Sequence, residues 1–240
     1  MLSDRQIQLL QAIISEYIKT AEPVGSVELV DKYNLKFSAA TVRNEMAKLI
    51  EDGFLQMLHT SSGRVPTRMA YRLYLDQIMH EEEMPVLQEV AMKQRLWSNR
   101  FEFEKLLRES VLSLAETSKL LAIATTTDGY IVHAGAVNVL DSKEFWDIDV
   151  AKAALSLLDR YDLLEKVFQN APYGNDVRCV IEEEMGMEKL ANCALIFSPY
   201  AVGKRSGFIA LLGPSRINYA GVIPLVRYTK QLVEELGNSW

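Results

Sequence analysis

The chain has 240 residues, 49% of them apolar, and a formal net charge of −6. That apolar share is enough for a sizeable core, yet no apolar run approaches the roughly 18 residues a membrane-spanning helix needs. The opening MLSDRQIQLL lacks the basic-then-apolar pattern of a secretory signal, so a cytoplasmic protein with no membrane partner is expected.

The first predicted helix opens on Ser3-Asp4-Arg5-Gln6, a capping box of the S-x-x-Q form. Its apolar positions are Ile7, Leu10, Ile13, Ile14, Tyr17 and Ile18, and Pro23, which has no N–H to donate, stops it. Gly25-Ser26 starts a second helix over about 27–33, with Leu29, Val30 and Tyr33 as its core face. The turn 34–37 leads to a third helix capped by Ser38. Val42, Met46, Leu49 and Ile50 form its apolar stripe, and Gly53 ends it as a C′ residue. The opposite side carries Thr41, Arg43, Asn44 and Lys48, side chains suited to base edges and phosphates in a major groove. A short hairpin follows, with the polar, basic tip Thr60-Ser61-Ser62-Gly63-Arg64. Three helices and a hairpin within about seventy residues predict a winged helix-turn-helix whose third helix reads DNA.

Charge distribution agrees with that placement. Residues 1–80 hold nine Lys/Arg and nine Asp/Glu, whereas 81–240 hold seventeen and twenty-three. Within 36–75, the six basic residues Lys36, Arg43, Lys48, Arg64, Arg68 and Arg72 outnumber Glu45, Glu51 and Asp52. A local basic excess is the footprint of a nucleic-acid surface, and an acidic remainder discourages indiscriminate polyanion binding.

From Pro66 a further helix is expected through 82, packed on Tyr71, Tyr74, Leu75 and Ile78, with Arg68 and Arg72 one turn apart as phosphate contacts or a solvated face. The run Glu81-Glu82-Glu83-Met84-Pro85 reads as a boundary. Residues 86–121 read as helical, the second part striped by Leu106, Leu107, Val111, Leu114 and Ala115. Strand-like runs at 120–126 and 130–139 flank the turn Asp128-Gly129, as in a hairpin. Helical patterns at 144–158 and 161–170 precede strand-like 177–182, 194–198 and 207–213, and an amphipathic helix over 219–236 comes last. The pattern predicts an α+β domain with a mainly antiparallel sheet.

No catalytic constellation appears. His59, His80 and His133 are scattered without metal spacing, and no P-loop, G-x-S-x-G or G-x-G-x-x-G motif is present. Glu182-Glu183-Glu184 reads as a solvated run. Cys179 and Cys193 read as two buried free thiols. No cofactor is expected. The polar segment 198–205 reads as a loop between strands, with a small-molecule pocket as the alternative.

The segments EPVGS (22–26), SAATVRNEMAKLIEDGFL (38–55), HTSSGRVPT (59–67), YRLYLD (71–76), SPYAVG (198–203) and LLGPSRINYAGVIPLVRYTKQLVEEL (211–236) resemble the heat-inducible transcription repressor family, HrcA. The resemblance implies a bacterial, cytoplasmic, non-enzymatic repressor. Members bind, as homodimers, an inverted repeat called CIRCE upstream of chaperone operons, and the chaperonin GroEL modulates them. It also implies a winged helix-turn-helix at 1–80, a helical linker at 81–102 and a GAF-like α+β domain at 103–240. On this reading the DNA-binding set is Lys36, Ser38, Ala40, Thr41, Arg43, Asn44, Lys48, Thr60, Ser61, Arg64 and Arg68.

The chain departs from the family by passing almost directly from Thr126 to His133, so the dimerising domain inserted there in longer members is expected to be missing. Substitute dimer surfaces are the 86–121 helices, with Trp97, Phe101 and Phe103 expected exposed, and the sheet face of the second domain. The alternative function is a metabolite-responsive regulator that uses the second domain as sensor.

Overall fold

A computed structural model describes residues 2–58, 63–169, 171 and 176–238. The chain divides between His80 and Glu81 into two compact units.

The first unit begins with helix α1 (Asp4–Thr20). Its capping box closes from both sides: Ser3 Oγ accepts from the Gln6 N–H, and the Gln6 side chain accepts from the Ser3 N–H at 2.9 Å. Helix α2 (Ser26–Tyr33) ends on Asn34 in the left-handed conformation, which the short amide side chain tolerates. Helix α3 (Ala39–Glu51) ends in a Schellman motif, with Gly53 N–H bonded to the Ile50 carbonyl and Phe54 N–H to that of Leu49. Gly53 is left-handed there (φ +81°), the conformation that a residue without Cβ adopts at least cost. Strands β1 (Leu55–Gln56) and β2 (Val65–Pro66) pair antiparallel, and Val24 and Arg64 exchange backbone hydrogen bonds at 2.9 Å. Leu10, Ile13, Ile14, Leu29, Val42, Leu49 and Leu55 form the buried interior.

Helix α4 (Arg68–Leu73) does not continue through 82 as the sequence pattern suggests. It widens into a π-helical turn over Tyr74–Ile78, closed by Met79 N–H on the Tyr74 carbonyl. Met79 is extended, so the helical chain stops before the acidic run.

Two carboxylates are buried among the described residues of this unit, Glu16 and Glu45. The Glu16 carboxylate accepts from Lys32 Nζ at 2.6 Å and Tyr33 Oη at 3.2 Å. The Lys32 hydrogen bond holds the Glu16 carboxyl below its ordinary range, against the opposing effect of burial, and burial pushes the Tyr33 phenol up to about 12. A lowered carboxyl pKa stabilises the fold above the unfolded carboxylate range, near 4.3, and the benefit fades as pH falls through the folded value. Acid titration of stability below that range is therefore expected to flatten in Glu16→Gln. An unchanged titration curve in urea melts at several pH values would reject the assignment.

The second unit has helices α5 (Val86–Trp97), α6 (Phe103–Ser118), α7 (Ile148–Ser156), α8 (Tyr161–Gln169) and α9 (Tyr219–Gly237). Its strands are β3 (Leu121–Thr126), β4 (Ile131–Ala134), β5 (Arg178–Ile181), β6 (Cys193–Val202) and β7 (Arg205–Pro214). They form one fully antiparallel sheet in the order β4-β3-β7-β6-β5. Side chains alternate across the pleat. Leu121, Ile123, Leu195, Phe197, Ala210 and Leu212 share one core with Ala154, Leu164 and Phe168 of α7 and α8. Helices α6 and α9 cover the other face. Pro224 inside α9 has no N–H for the Ala220 carbonyl, and that carbonyl accepts the Glu82 N–H at 2.9 Å instead. Gly207 in β7 runs so close to β3 that an added Cβ would lie 2.6 Å from the Thr125 carbonyl carbon and overlap its oxygen.

Several expectations are revised. Residues 81–102 belong to the second unit, because α5 buries Met92 and Leu96 against α6 and α9. Strand β4 stops at Ala134, and left-handed Gly135 turns the chain into a 3-10 helix over Ala136–Asp141. Segment 198–205 is mostly strand: only Gly203 and Lys204 lie between β6 and β7. Ser198 and Tyr200 are buried, and Tyr200 Oη donates to the Thr125 carbonyl at 2.8 Å. Phe103 is 2% exposed, packed beside Tyr200, and both sheet faces are covered. Cys179 and Cys193 are buried and are not joined in a disulfide, and burial pushes the Cys193 thiol up to about 12. Among the described residues no helix is long and apolar enough to cross a membrane.

Candidate nucleic-acid interface

The candidate interface is built on α3. Its buried side, Val42, Met46 and Leu49, fixes the helix against α1 and α2, so the opposite side is presented outward. Ala40, Arg43, Asn44, Ala47 and Lys48 are exposed at i, i+3, i+4, i+7 and i+8, a single stripe. Lys36 is exposed in the turn just before it.

Ser38 caps the helix by accepting the Thr41 N–H at 3.2 Å. Its hydroxyl also lies 3.0 Å from Thr41 Oγ1, so Thr41 serves the cap and is only half exposed. Arg43 has no ion pair among the described residues and is free to donate both guanidinium edges. Lys48 Nζ is 3.3 Å from Glu45 Oε1.

The other expected positions do not all fall on this stripe. Arg68 opens α4, whose cap Thr67 donates to the Gly53 carbonyl at 2.7 Å, so it sits towards the C-terminal end of α3. Arg64 is placed at the base of the hairpin by its bridge to Val24, is half-buried, and has its Nε sealed from solvent. Thr60, Ser61 and His59 lie outside the described residues.

Sequence reasoning missed Arg5 and the part played by Glu45. Arg5 lies 3.7 Å from the Glu45 carboxylate and 4.7 Å from the centre of the Phe37 ring, which brings a further cation to the side of α3. Glu45 is buried between Arg5 and Lys48, 3.7 Å from the first and 3.3 Å from the second. The capping box puts Arg5 in the first turn of α1, but its approach to α3 comes from the tertiary packing of the two helices.

The second unit offers a hollow of about 320 Å³ lined by Phe103, Glu104, Thr126, Asp128, Lys204 and Arg205. Three of its four charged groups are already engaged. Arg205 pairs with Glu104 at 3.1 Å and stacks over Phe103 at 4.6 Å, and the Thr126 hydroxyl holds the Asp128 carboxyl below its ordinary range. Between the sheet and α8 the space is filled by Phe168, Phe197 and Phe208, with ring centres 4.2–5.6 Å apart. Among the described residues no group of three or more His, Cys, Asp or Glu is arranged to hold a metal.

Comparison with known proteins agrees with this architecture. The profile of a family described as HrcA protein C terminal domain matches residues 36–223. The chain belongs to the HrcA family. Curated relatives named heat-inducible transcription repressor HrcA include one from Clostridium perfringens, 27% identical, with all of both chains covered. Another, from Bacillus pumilus, is 25% identical and covers all of this chain and 99% of the relative. The first alignment runs over 342 positions against 240 residues here, so the relative carries extra internal sequence that this chain lacks. A solved protein described only as hypothetical shares the fold, with a TM-score of 0.79 at 18% identity over 100% of this chain and 99% of that one.

Proposed function

We propose that this chain is a transcription repressor of heat-inducible genes that works by binding operator DNA. On this reading the first unit is a winged helix-turn-helix. Helices α2 and α3 form the helix-turn-helix and the β1–β2 hairpin is the wing. The second unit is GAF-like. The carrying observation is the exposed stripe Ala40, Arg43, Asn44 and Lys48 on a helix anchored by its other side. Arg43 and Asn44 supply the two side-chain types that pair bidentately with guanine and adenine edges. Lys36, Lys48, Arg68 and Arg5 hold phosphates, and the wing tip with Thr60 and Ser61 meets the flanking backbone.

A cytoplasmic homodimer on an inverted repeat follows from two-fold symmetry, since two third helices then face successive major grooves. Repression comes from occupying promoter DNA, and heat releases it by loosening the folded dimer. The tight β3–β4 turn, with Thr125 already opposite Ile131, supports the absence of the insert found in longer members. Control by the chaperonin GroEL remains the family's implication. The metabolite-sensor reading gains no support from a hollow in which Arg205 is paired with Glu104 and Asp128 is held by the Thr126 hydroxyl.

The test is a gel shift with a CIRCE-type inverted-repeat duplex against a scrambled one. Selective retardation is expected, and equal retardation of both sinks the proposal. Lys48→Ala is expected to weaken binding to every sequence alike and to flatten the salt dependence by about one unit of log–log slope. A loss confined to the inverted repeat would make Lys48 a base reader instead.

A further inference from the structure

We propose that α5 is the two-fold interface, packed antiparallel on α5 of a second copy of this chain. The inference rests on the dimeric-repressor reading and names the surface that dimer uses.

Helix α5 is apolar on two sides. Met92 and Leu96 face inward. On the opposite side Val86 (71% exposed), Val90 (46%) and Trp97 (48%) form an outward stripe, flanked by Leu87 and Phe101. Their spacing of four and then seven residues keeps them on one side of a helix, the pattern of a helix–helix seam. A run of exposed large apolar side chains on one helix marks an interaction surface rather than ordinary surface composition.

The charges at its two ends choose the partner and its direction. Glu83 lies in the non-helical segment that leads into α5, three residues before Val86, and Arg100 in the turn that follows it, three residues after Trp97. The Arg100 guanidinium is held on the stripe, over the Trp97 ring at 4.2 Å and the Phe101 ring at 4.0 Å, and donates to the Trp97 carbonyl at 2.8 Å. An antiparallel second copy sets Glu83 against Arg100, Val86 against Trp97, and Val90 against the aliphatic stem of Lys93. The Lys93 ammonium is already satisfied by Glu235 at 2.8 Å, so its stem is left to cover the centre. A parallel copy would place acid on acid and base on base. The stripe is about 18 Å long for twelve residues and supplies the apolar centre of an interface rimmed by charge.

The rival surfaces fail on the same physics. The sheet has no free face. The exposed apolar cluster Val137, Leu140, Trp146 and Ile148 is spread over two 3-10 turns and the start of α7, so it presents no continuous helical seam.

Light scattering on the full chain, with and without inverted-repeat duplex, tests the proposal. The wild type is expected to be a dimer. Val90→Glu should raise the dimer dissociation constant about tenfold or more, with an unchanged far-ultraviolet circular dichroism spectrum because the position is exposed in the single chain. Glu83→Arg and Arg100→Glu should each weaken the dimer, and together restore it. A monomeric wild type, an undisturbed Val90→Glu dimer, or a double reversal no better than the single changes would each overturn the interface. Selective DNA binding that survives such a result leaves the repressor reading standing. Loss of selective DNA binding alongside a dimer that Val90→Glu still breaks would remove the repressor reading and keep the interface.

Discussion

Arg43→Ala is expected to weaken operator binding by about 1–3 kcal/mol and to relax specificity at one base-pair position. The size follows from what the side chain gives up on binding. Arg43 stands in the middle of the α3 stripe, exposed and without an ion pair among the described residues, so its guanidinium loses only water when it meets a base edge. Lys48 must also share itself with Glu45, which makes its contribution smaller and less directional. Arg43→Lys sharpens the test. It keeps the charge but removes the planar two-pronged donor set, so phosphate-type attraction should persist while discrimination falls. Anisotropy titrations against an operator series with single base-pair changes read both quantities. An unaltered base-pair profile in the Ala variant would take Arg43 out of the reading set. The melting temperature should not move in either variant, because the position is on the surface.

The largest effect on stability is expected from Gly207→Ala. Adding one methyl group in β7 is ordinarily tolerable, but here it drives a Cβ into the Thr125 carbonyl of β3. Relief requires the central strands to part, and the β3–β7 pairing runs from Leu121↔Leu212 to Thr126↔Gly207. The same carbonyl also accepts the Tyr200 hydroxyl, and Thr125 Oγ1 accepts the Phe208 N–H, so a shift disturbs two further bonds. A loss of at least about 3 kcal/mol is expected, at the severe end for single substitutions. Urea unfolding of Gly207→Ala beside Ser206→Ala, a neighbouring change without this clash, gives the measurement. Equal midpoints would mean that β3 and β7 are not so closely apposed.

What was legible in the sequence was local. The capping box at Ser3 and Gln6, the Ser38 cap and the Gly53 terminus each involve residues a turn or two apart, so their spacing predicts them. The α3 stripe was legible for the same reason. The segment 198–205 misled because Pro199 and Gly203 are turn residues by type. Yet β5 begins at Arg178, opposite Phe197, so from Ser198 onward β6 pairs with β7 alone, and a residue without an N–H is admissible there. Residues 136–141 alternate too weakly to separate strand from 3-10 helix, and left-handed Gly135 decides between them. Arg5 and Glu45 were out of reach because their meeting depends on how α1 packs on α3. Phe103 misled in the opposite direction. An aromatic at a helix start reads as exposed, and only the tertiary fold shows β6 bringing Tyr200 over it.

Cys193 lies wholly inside the sheet, its thiol pushed up to about 12. At neutral pH almost no thiolate exists, and oxidants and alkylating reagents reach the sulfur only when the strands separate. A cell's redox chemistry therefore passes this thiol by in the folded molecule. The same chemistry captures it once warming opens the sheet, so damage at this sulfur is confined to copies that have already let go of their fold.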